Sequence, residues 1–507
     1  MRDVHEDPIG TFVGDRRFRL LLGGELVDAA EGGRMTTVDP STGDDLTDVP
    51  LARATDVSRA VAAAEGAQPA WSAIGVRGRR EALERLAAAI ELRAPELAML
   101  DAIDAGNPYP AMLRDVGISM GNLKDWPGLA LGLEGRVVPE ASPGRNLHYT
   151  LYEPFGVVAR IIPFNHPAMF AISSVIPALV TGNAVVLKPA EQTPLSALAF
   201  GEIAAEVLPP GVLNIVTGGA ETGDALVVHP DVRRIGFTGS TATGLLIQQR
   251  AAEVGVKHLS LELGGKNAMI VFPDADLERV VAGAVDGMNM TSCQGQSCGS
   301  NSRVLVHAAL YEDFLGGLRE RLEAIRLGPA YARDVDMGPV VSRLQQERVL
   351  RYITSAREQG ARLVTGGTPP TGIDGGYFVA PTVFADVRTE MTVAREEIFG
   401  PVISVLRWDD YETMVAQAND VEFGLTASIW TYDLDVAHRT AQRLAAGYIW
   451  INDSAKHFFG TPFGGTKNSG LGREESMEEL LGYLEVKAVH TILGDPHERV
   501  RLLTGHE

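Results

Sequence analysis

The most constraining feature of this 507-residue sequence is an alternation of short apolar segments with helical segments that begins near residue 156. The apolar segments are residues 157–162, 184–187, 213–216, 235–237 and 259–263. Strands separated by helical crossovers pair in parallel, with helices on both faces of the sheet. The sequence therefore predicts an α/β fold with a doubly wound sheet, where a nucleotide can bind at the strand ends.

A second region with the same alternation starts at residues 269–272, continues with residues 304–306 and reaches about residue 470. A chain of this length exceeds the size at which one hydrophobic core usually stops growing. We therefore expect a second α/β domain. Residues 146–152 and 483–493 fit neither domain, because their side chains alternate as in half-buried strands.

Charge and cysteine content narrow the choice of partners and compartment. The formal net charge of −20 repels polyanions, which argues against nucleic acid or an anionic membrane surface as the main partner. No apolar stretch approaches the roughly 18 to 20 residues of a membrane span. The two cysteines, Cys293 and Cys298, and a mixed, charged start instead of an apolar signal segment predict a cytoplasmic protein.

Two short segments carry reactive side chains. Glu262 lies between two leucines in residues 261–266, and this apolar setting raises a carboxyl pKa and suits a general base. Cys298 lies in a loop of small residues that leaves room for a substrate, as a nucleophile requires. The alternatives are an ion pair of Glu262 with Lys266, which Gly264 and Gly265 disfavour, and a cysteine that acts as a small hydrophobe. We interpret Cys293 as structural.

These two segments, Glu-Leu-Gly-Gly-Lys and Gly-Gln-x-Cys, resemble the NAD(P)-dependent aldehyde dehydrogenase superfamily of the hydrolytic, non-acylating type. Residues 163–167 are similar to that family's Pro-Trp-Asn-[Phe/Tyr]-Pro motif. The resemblance implies that Cys298 is the nucleophile, that Glu262 is the base, and that Asn165 with the Cys298 N–H forms an oxyanion hole. The alternative from the residues alone is a turn asparagine, since Asn before His-Pro suits a loop. Phe164 and His166 depart from the motif, which leaves the oxyanion role intact but alters the substrate pocket.

The resemblance also implies an NAD site. Ser240 opens a helix after a strand, which suits a pyrophosphate but is also common in plain strand-to-helix turns. Glu191 matches a ribose-binding carboxylate that repels a 2′-phosphate, so NAD is favoured over NADP. The implied cofactor-binding residues are Ile161, Pro163, Lys188, Glu191, Gly218, Phe237, Gly239, Ser240, Leu263, Glu397 and Phe399. The scattered histidines imply no metal.

The substrate implied by the family is a small-molecule aldehyde. The residues implied near its tunnel are His166, Met169, Phe170, Ser173, Ser292, Ser297, Gly299, His457 and Phe463. Betaine-aldehyde enzymes enclose a trimethylammonium group with aromatic rings, whereas His166, Ser173 and His457 stand at those places here. The sequence therefore predicts a preference for neutral aromatic or medium-chain aldehydes.

The resemblance further implies three parts of the chain. They are an NAD-binding domain of residues 1–130 and 153–262, a catalytic domain of residues 263–473, and an oligomerisation arm of residues 131–152 and 474–507. Such an arm predicts a homodimer or homotetramer. Two alternatives stay open: a coenzyme A-acylating dehydrogenase, and a catalytically inactive scaffold on the same fold.

Overall fold

The computed structural model describes residues 5–139 and 146–492. The strands are β1 Leu20–Leu22, β2 Glu25–Val27, β3 Arg34–Val38, β4 Asp45–Pro50, β5 Val137–Val138, β6 Asn146–Pro154, β7 Val157–Ile161, β8 Ala184–Lys188, β9 Leu213–Ile215, β10 Val232–Thr238, β11 His258–Glu262, β12 Ala268–Val271, β13 Arg303–His307, β14 Arg362–Thr365, β15 Thr382–Ala385, β16 Val402–Trp408, β17 Phe423–Gly424, β18 Thr426–Trp430, β19 Tyr448–Ile451, β20 Thr466–Lys467, β21 Gly470–Leu471 and β22 Leu484–Ile492.

The helices lie mostly between the strands. They are α1 Pro8–Phe12, α2 Ala54–Ala73, α3 Gly75–Asp104, α4 Tyr109–Ala130, α5 Pro167–Ser173, α6 Ile176–Val180, α7 Leu195–Val207, α8 Ala220–Val227, α9 Thr241–Val254, α10 Leu277–Gly287, α11 Met290–Cys293, α12 Tyr311–Glu323, α13 Arg343–Glu358, α14 Thr392–Arg395, α15 Tyr411–Asn419, α16 Leu434–Arg443 and α17 Met477–Gly482. Within the described ranges, each helix is too short or too polar to cross a membrane.

The first sheet has eight strands in the order β2-β1-β9-β8-β7-β10-β11-β21. Its five central strands, β9, β8, β7, β10 and β11, pair in parallel. Beside them, β1 pairs antiparallel with β9 and β21 pairs antiparallel with β11. Strands β7 and β8 are buried along their whole length, because helices cover both faces of the sheet. The predicted doubly wound α/β fold is therefore confirmed.

The second sheet has seven strands in the order β14-β15-β16-β13-β12-β18-β19. All of its pairings are parallel except that of β14 with β15. The predicted apolar segment 269–272 corresponds to β12, and segment 304–306 corresponds to the centre of β13.

A separate three-stranded antiparallel sheet has the order β22-β6-β5. Strands β6 and β22 pair over nine residues, from Leu484 with Pro154 to Ile492 with Asn146. These strands come from the two parts of the predicted arm, whose residues 140–145 and 493–507 lie outside the described residues. The domain boundaries remain a prediction. One strand does not follow the proposed division: β21 falls within the proposed catalytic domain but pairs with β11 of the first sheet.

Candidate active site

An open cleft of about 1540 Å³ lies at the carboxyl ends of β7, β8, β10 and β11. Ligands of open parallel sheets bind at this edge, because the loops that follow the strands converge there. The opposite wall comes from the second α/β region and includes Cys298, Glu397 and Phe399. The cleft therefore joins residues that are far apart in sequence.

Most of the candidate residues meet in this cleft. All three catalytic candidates line it, and so does every cofactor candidate except Gly218. Of the substrate-pocket candidates, only Phe170 lines it. Gly218 lies beside the cleft with φ of 154°, and a Cβ there would lie only 2.0 Å from Thr222 Oγ1. Its role in this structure is thus to permit a backbone conformation rather than to line the cavity.

Cys298 lies in the loop between α11 and β13 and is partly buried. Its carbonyl accepts a hydrogen bond of 2.6 Å from Asn267 Nδ2, which fixes the loop. Gly265 permits this contact, because a Cβ there would come within 2.5 Å of the Cys298 carbonyl oxygen. Burial, and then the charges of Glu262 and Glu397, raise the pKa of the Cys298 thiol. The thiol of the ligand-free protein is therefore protonated at neutral pH.

Glu262 is the last residue of β11 and is only 4% exposed. Neither carboxylate oxygen has a hydrogen-bond partner among the described residues. Burial, and then the charge of Glu474, raise the pKa of Glu262 well above its usual value. The alternative ion pair with Lys266 does not form, since the Lys266 Nζ is also buried without a partner in the described part of the chain. An unpaired buried carboxyl is costly for stability and is typical of functional sites.

Asn165 follows β7 and is 4% exposed. The backbone carbonyl of Asn165 accepts a hydrogen bond of 2.7 Å from Asn107 Nδ2. Three residues later, the Ala168 N–H donates to buried Asp101 Oδ2 at 2.9 Å, in the first turn of α5. Two side chains from other segments therefore hold the backbone that carries the Asn165 amide.

The groove side of the cleft has the features of a phosphate and ribose site. Ser240 is the N-cap of α9, and its Oγ accepts a hydrogen bond from the Thr243 N–H. The free N–H groups of such a helix start attract phosphate oxygens. Lys188 ends β8 with its Nζ 3.9 Å from Glu191 Oε2, while the Glu191 side chain is 49% exposed. An exposed carboxylate at this place is free to accept hydrogen bonds from a ligand.

The opposite wall contains two implied cofactor residues, Glu397 and Phe399, and two residues of α13 that the sequence did not single out. Glu397 Oε1 accepts a hydrogen bond of 2.8 Å from the Gly265 N–H. On α13, Arg348 donates to the Glu397 carbonyl at 2.7 Å, and Gln345 donates to the Phe399 carbonyl at 2.5 Å. Phe399 has a φ of 60°, a strained value for a non-glycine residue. Gln345 and Arg348 also line the cleft, and nothing in their helix sequence distinguishes them from ordinary surface residues.

The other substrate-pocket candidates lie outside the lining of this cleft, in three groups. Phe463 packs in a cluster that contacts Cys298, and the His457 and Phe463 ring centroids are 4.5 Å apart. His166 Nδ1 lies 2.6 Å from Asp115 Oδ2, and Ser173 Oγ accepts from Asn122 Nδ2 at 3.1 Å. Met169 is on α5, while Ser292, Ser297 and Gly299 lie along the α11 segment and Cys298 loop.

The chemistry of this arrangement is that of acyl transfer next to a nucleotide groove. A thiol, a buried carboxyl and an amide side chain line one end, which supplies a nucleophile, a base and an oxyanion donor. The other end has a helix start and a ribose-accepting carboxylate. Within residues 5–139 and 146–492, no His, Cys, Asp and Glu cluster has the arrangement of a metal site.

Comparisons with known proteins agree with this geometry. A sequence model described as the aldehyde dehydrogenase family matches residues 26–489. Aldehyde dehydrogenase tropH of Talaromyces stipitatus is 45% identical, over 91% of this chain and 90% of its own length. Betaine aldehyde dehydrogenase 1 of Rhizobium meliloti is 42% identical over 93% and 97%. The structure of an aldehyde dehydrogenase from Bacillus cereus in complex with NAD+ superposes with a TM-score of 0.92 at 39% identity, covering 96% of this chain and 99% of that one.

Proposed function

Because this chain belongs to the aldehyde dehydrogenase family and is therefore an oxidoreductase, we propose that it oxidises an aldehyde to a carboxylic acid with NAD. The observation that carries the proposal is the convergence of Cys298, Glu262 and Asn165 in one cleft. These residues are separated by up to 133 positions in the sequence, so their meeting depends on the fold. The inactive-scaffold alternative has no support from this site, because all three reactive groups are present.

The three residues divide the reaction between them. The Cys298 thiol first loses its proton to solvent water, and the thiolate then adds to the aldehyde carbon. The Asn165 amide with the Cys298 N–H stabilises the resulting alkoxide. NAD, when bound in the groove, would accept the hydride that the adduct on Cys298 loses as it becomes a thioester. Glu262 then takes a proton from water, the resulting hydroxide attacks the thioester, and the carboxylic acid leaves as the Cys298 thiolate is restored.

The groove fits a dinucleotide in its size and in its donors. We propose that Ser240 and the N-terminus of α9 hold the pyrophosphate, and that Lys188 and Glu191 hold the adenosine ribose. Glu397 and Phe399 stand at the Cys298 end of the cleft, where the nicotinamide ribose and ring would bind. The exposed Glu191 carboxylate favours NAD, because it would repel the 2′-phosphate of NADP.

The Glu262 carboxyl supports hydrolysis of the thioester rather than transfer of the acyl group to coenzyme A. Its carboxyl is buried within the cleft without a partner among the described residues, so it is free to receive a proton from water. A coenzyme A-acylating enzyme does not require a base at this position. Carboxylic acid formation without added coenzyme A supports hydrolysis, and a strict requirement for coenzyme A would contradict it.

For the substrate, we propose a neutral aromatic or medium-chain aldehyde. Burial alone lowers the pKa of His166, but Asp115 and Cys293 outweigh it and raise that pKa well above its usual value. Burial also lowers the pKa of His457, but Glu475 raises it overall. A raised pKa favours the cationic form of each imidazole, which would repel a trimethylammonium group, so we propose that betaine aldehyde is a poor substrate even though some relatives carry that name.

The test is NADH formation across a panel of aldehydes. We expect kcat/KM for benzaldehyde and hexanal to exceed that for betaine aldehyde by about tenfold, as one repelled charge is worth on the order of 1 kcal/mol. A panel in which betaine aldehyde wins by the same margin would overturn the substrate assignment. No NADH with any aldehyde would overturn the proposed function itself.

We also propose that β5, β6 and β22 form an arm that joins subunits into a homodimer or homotetramer, since a three-stranded sheet leaves edges for a partner to cover. The proposed division of the chain is an NAD-binding domain, a catalytic domain and this arm. Light scattering of the purified protein measures the assembly. A cytoplasmic location is proposed because the reactive thiol must stay reduced.

A further inference from the structure

The outer end of the cleft carries a second charged pair, which the proposed reaction does not use. Asp224 on α8 and Arg250 on α9 both line the same cavity as Glu191 and Ser240. Arg250 Nε lies 2.7 Å from Asp224 Oδ1, and Arg250 Nη2 lies 2.9 Å from Asp224 Oδ2. This two-point contact fixes the plane of the guanidinium and occupies two of its donor groups.

Apolar side chains line the cavity between the same two helices. Val227 of α8 and Leu246 and Ile247 of α9 all border it. Such walls suit a flat, uncharged ring rather than a phosphate. The pair Asp224–Arg250 thus bridges two helices that border a slot suited to an aromatic base.

The slot adjoins the proposed ribose site. A Cβ added at Gly223, the residue before Asp224, would lie 3.8 Å from Lys188 Cδ and Cε. Arg250 is also paired with Glu253 through Nη1. The charges at this end are therefore Lys188 and Arg250 against Glu191, Asp224 and Glu253.

We propose that Asp224 is a second determinant of cofactor choice, which acts by keeping Arg250 in an ion pair and so preventing Arg250 from binding the 2′-phosphate of NADP. This inference rests on the proposed function, because it requires that the groove binds the adenosine half of a dinucleotide. It differs from the role of Glu191. Glu191 repels the phosphate directly, whereas Asp224 acts by engaging the one arginine among the charged residues that line this end of the cleft.

Asp224→Asn tests the proposal because it keeps the size of the side chain and removes its charge. The amide keeps one acceptor oxygen but no charge, so at least one of the Arg250 Nε and Nη2 groups is released from its ion pair and can bind a phosphate. A charge-assisted hydrogen bond of about 1.5 kcal/mol corresponds to roughly a tenfold change in affinity. We expect NADP and adenosine 2′,5′-bisphosphate to bind about tenfold more tightly to this variant. NAD and adenosine 5′-monophosphate should change by less than about threefold.

The readout is calorimetric binding of these four ligands to the full-length protein without aldehyde. Asp336→Asn is the matched control, because Arg326 makes the same two-point contact with Asp336, at 2.8 and 2.9 Å, away from the cleft. Adding Arg250→Gln to Asp224→Asn should abolish the gain. Thermal melting of each variant verifies that it is folded.

Four results distinguish the possible failures. An unchanged ratio of NADP to NAD affinity in folded Asp224→Asn overturns the inference, and so does an equal loss of both affinities. A gain that persists in the double variant also overturns it, because Arg250 would then not be the ligand. If the parent protein binds neither NAD nor adenosine 5′-monophosphate, the proposed cofactor site itself is wrong.

Discussion

The two ends of the cleft hold charged side chains in opposite environments. At the groove end, Glu191 is 49% exposed and lies near Lys188, and Asp224 is paired with Arg250. At the catalytic end, Glu262 is 4% exposed and without a partner among the described residues. Charges that have a partner of opposite sign suit recognition of a charged ligand, whereas burial without a partner raises the pKa of Glu262 and suits proton transfer.

Different stability costs accompany this division. Exposed ion pairs contribute roughly 0 to 1 kcal/mol each, so substitutions at the groove end should hardly affect folding. A buried unpaired polar group costs on the order of 1 to 3 kcal/mol. The catalytic end therefore keeps a group that destabilises the fold, as is typical of groups that serve a reaction.

The largest effect should come from the thiol at the catalytic end. Cys298→Ala should lower activity by at least about 10³-fold, because the covalent intermediate no longer forms, while NAD binding is kept. The matched control is Cys293→Ala, which removes a fully buried thiol and should lose little activity. Steady-state NADH formation measures both, and retained turnover in the Cys298 variant would show that another group is the nucleophile.

Next in size is the base. Glu262→Gln should slow steady-state turnover by about 10² to 10⁴-fold, because water loses its proton acceptor after hydride transfer is complete. Rapid mixing should show a burst of one NADH per site, followed by slow turnover that is limited by hydrolysis of the thioester. Glu474→Gln is the comparison, since the charge of Glu474 raises the pKa of Glu262 and its removal should alter turnover far less than loss of the base itself. Unchanged turnover in Glu262→Gln would remove this residue from the mechanism.

The pH dependence of thioester hydrolysis tests the role of Glu262 at the catalytic end. Glu262 acts as a base only when ionised, and burial raises its pKa well above the usual value. Below that pKa the ionised fraction falls about tenfold per pH unit, so hydrolysis of the thioester should become faster as pH rises from neutral. Single-turnover hydrolysis at several pH values measures this. A rate that falls as pH rises would contradict the assignment of Glu262.

The smallest effect should come from the groove end. The parent should prefer NAD over NADP by about tenfold or more in kcat/KM, because the 2′-phosphate loses hydrogen bonds near Glu191 and meets a like charge. Glu191→Gln should narrow that ratio while the rate with NAD changes little. Equal kcat/KM for both cofactors in the parent would show that Glu191 does not discriminate between them.

The apolar segments of the sequence predicted the parallel strands well, and the motifs could be recognised, because both depend on consecutive residues. The exception at β10 is instructive: residues 235–237 were predicted, but the strand is Val232–Thr238. Arg234 interrupts the apolar pattern, yet it is buried, with its guanidinium over the Tyr483 ring and Nη2 on Ser260 Oγ. A partner so distant in sequence leaves no local signal.

The same limit applies to the site. The sequence indicated Cys298, Glu262 and Asn165 through motifs, but not Gln345, Arg348 or the pairing of Asp224 with Arg250. Those contacts join segments that are apart in sequence, α13 with the segment that follows α14 and α8 with α9, and spacing along the chain does not encode them. Of the substrate-pocket residues, only Phe170 lines the cleft, and the role of all of them stays a prediction.

The most direct test of this account is to trap the thioester. Glu262→Gln is mixed with NAD and benzaldehyde, quenched in acid and analysed by peptide mass spectrometry alongside the parent. The account predicts one benzoyl group per chain on Cys298 of the variant, matched by one NADH per site, and little adduct on the parent. A variant that forms NADH without an acyl group on Cys298, or that carries the group on Cys293, would contradict it.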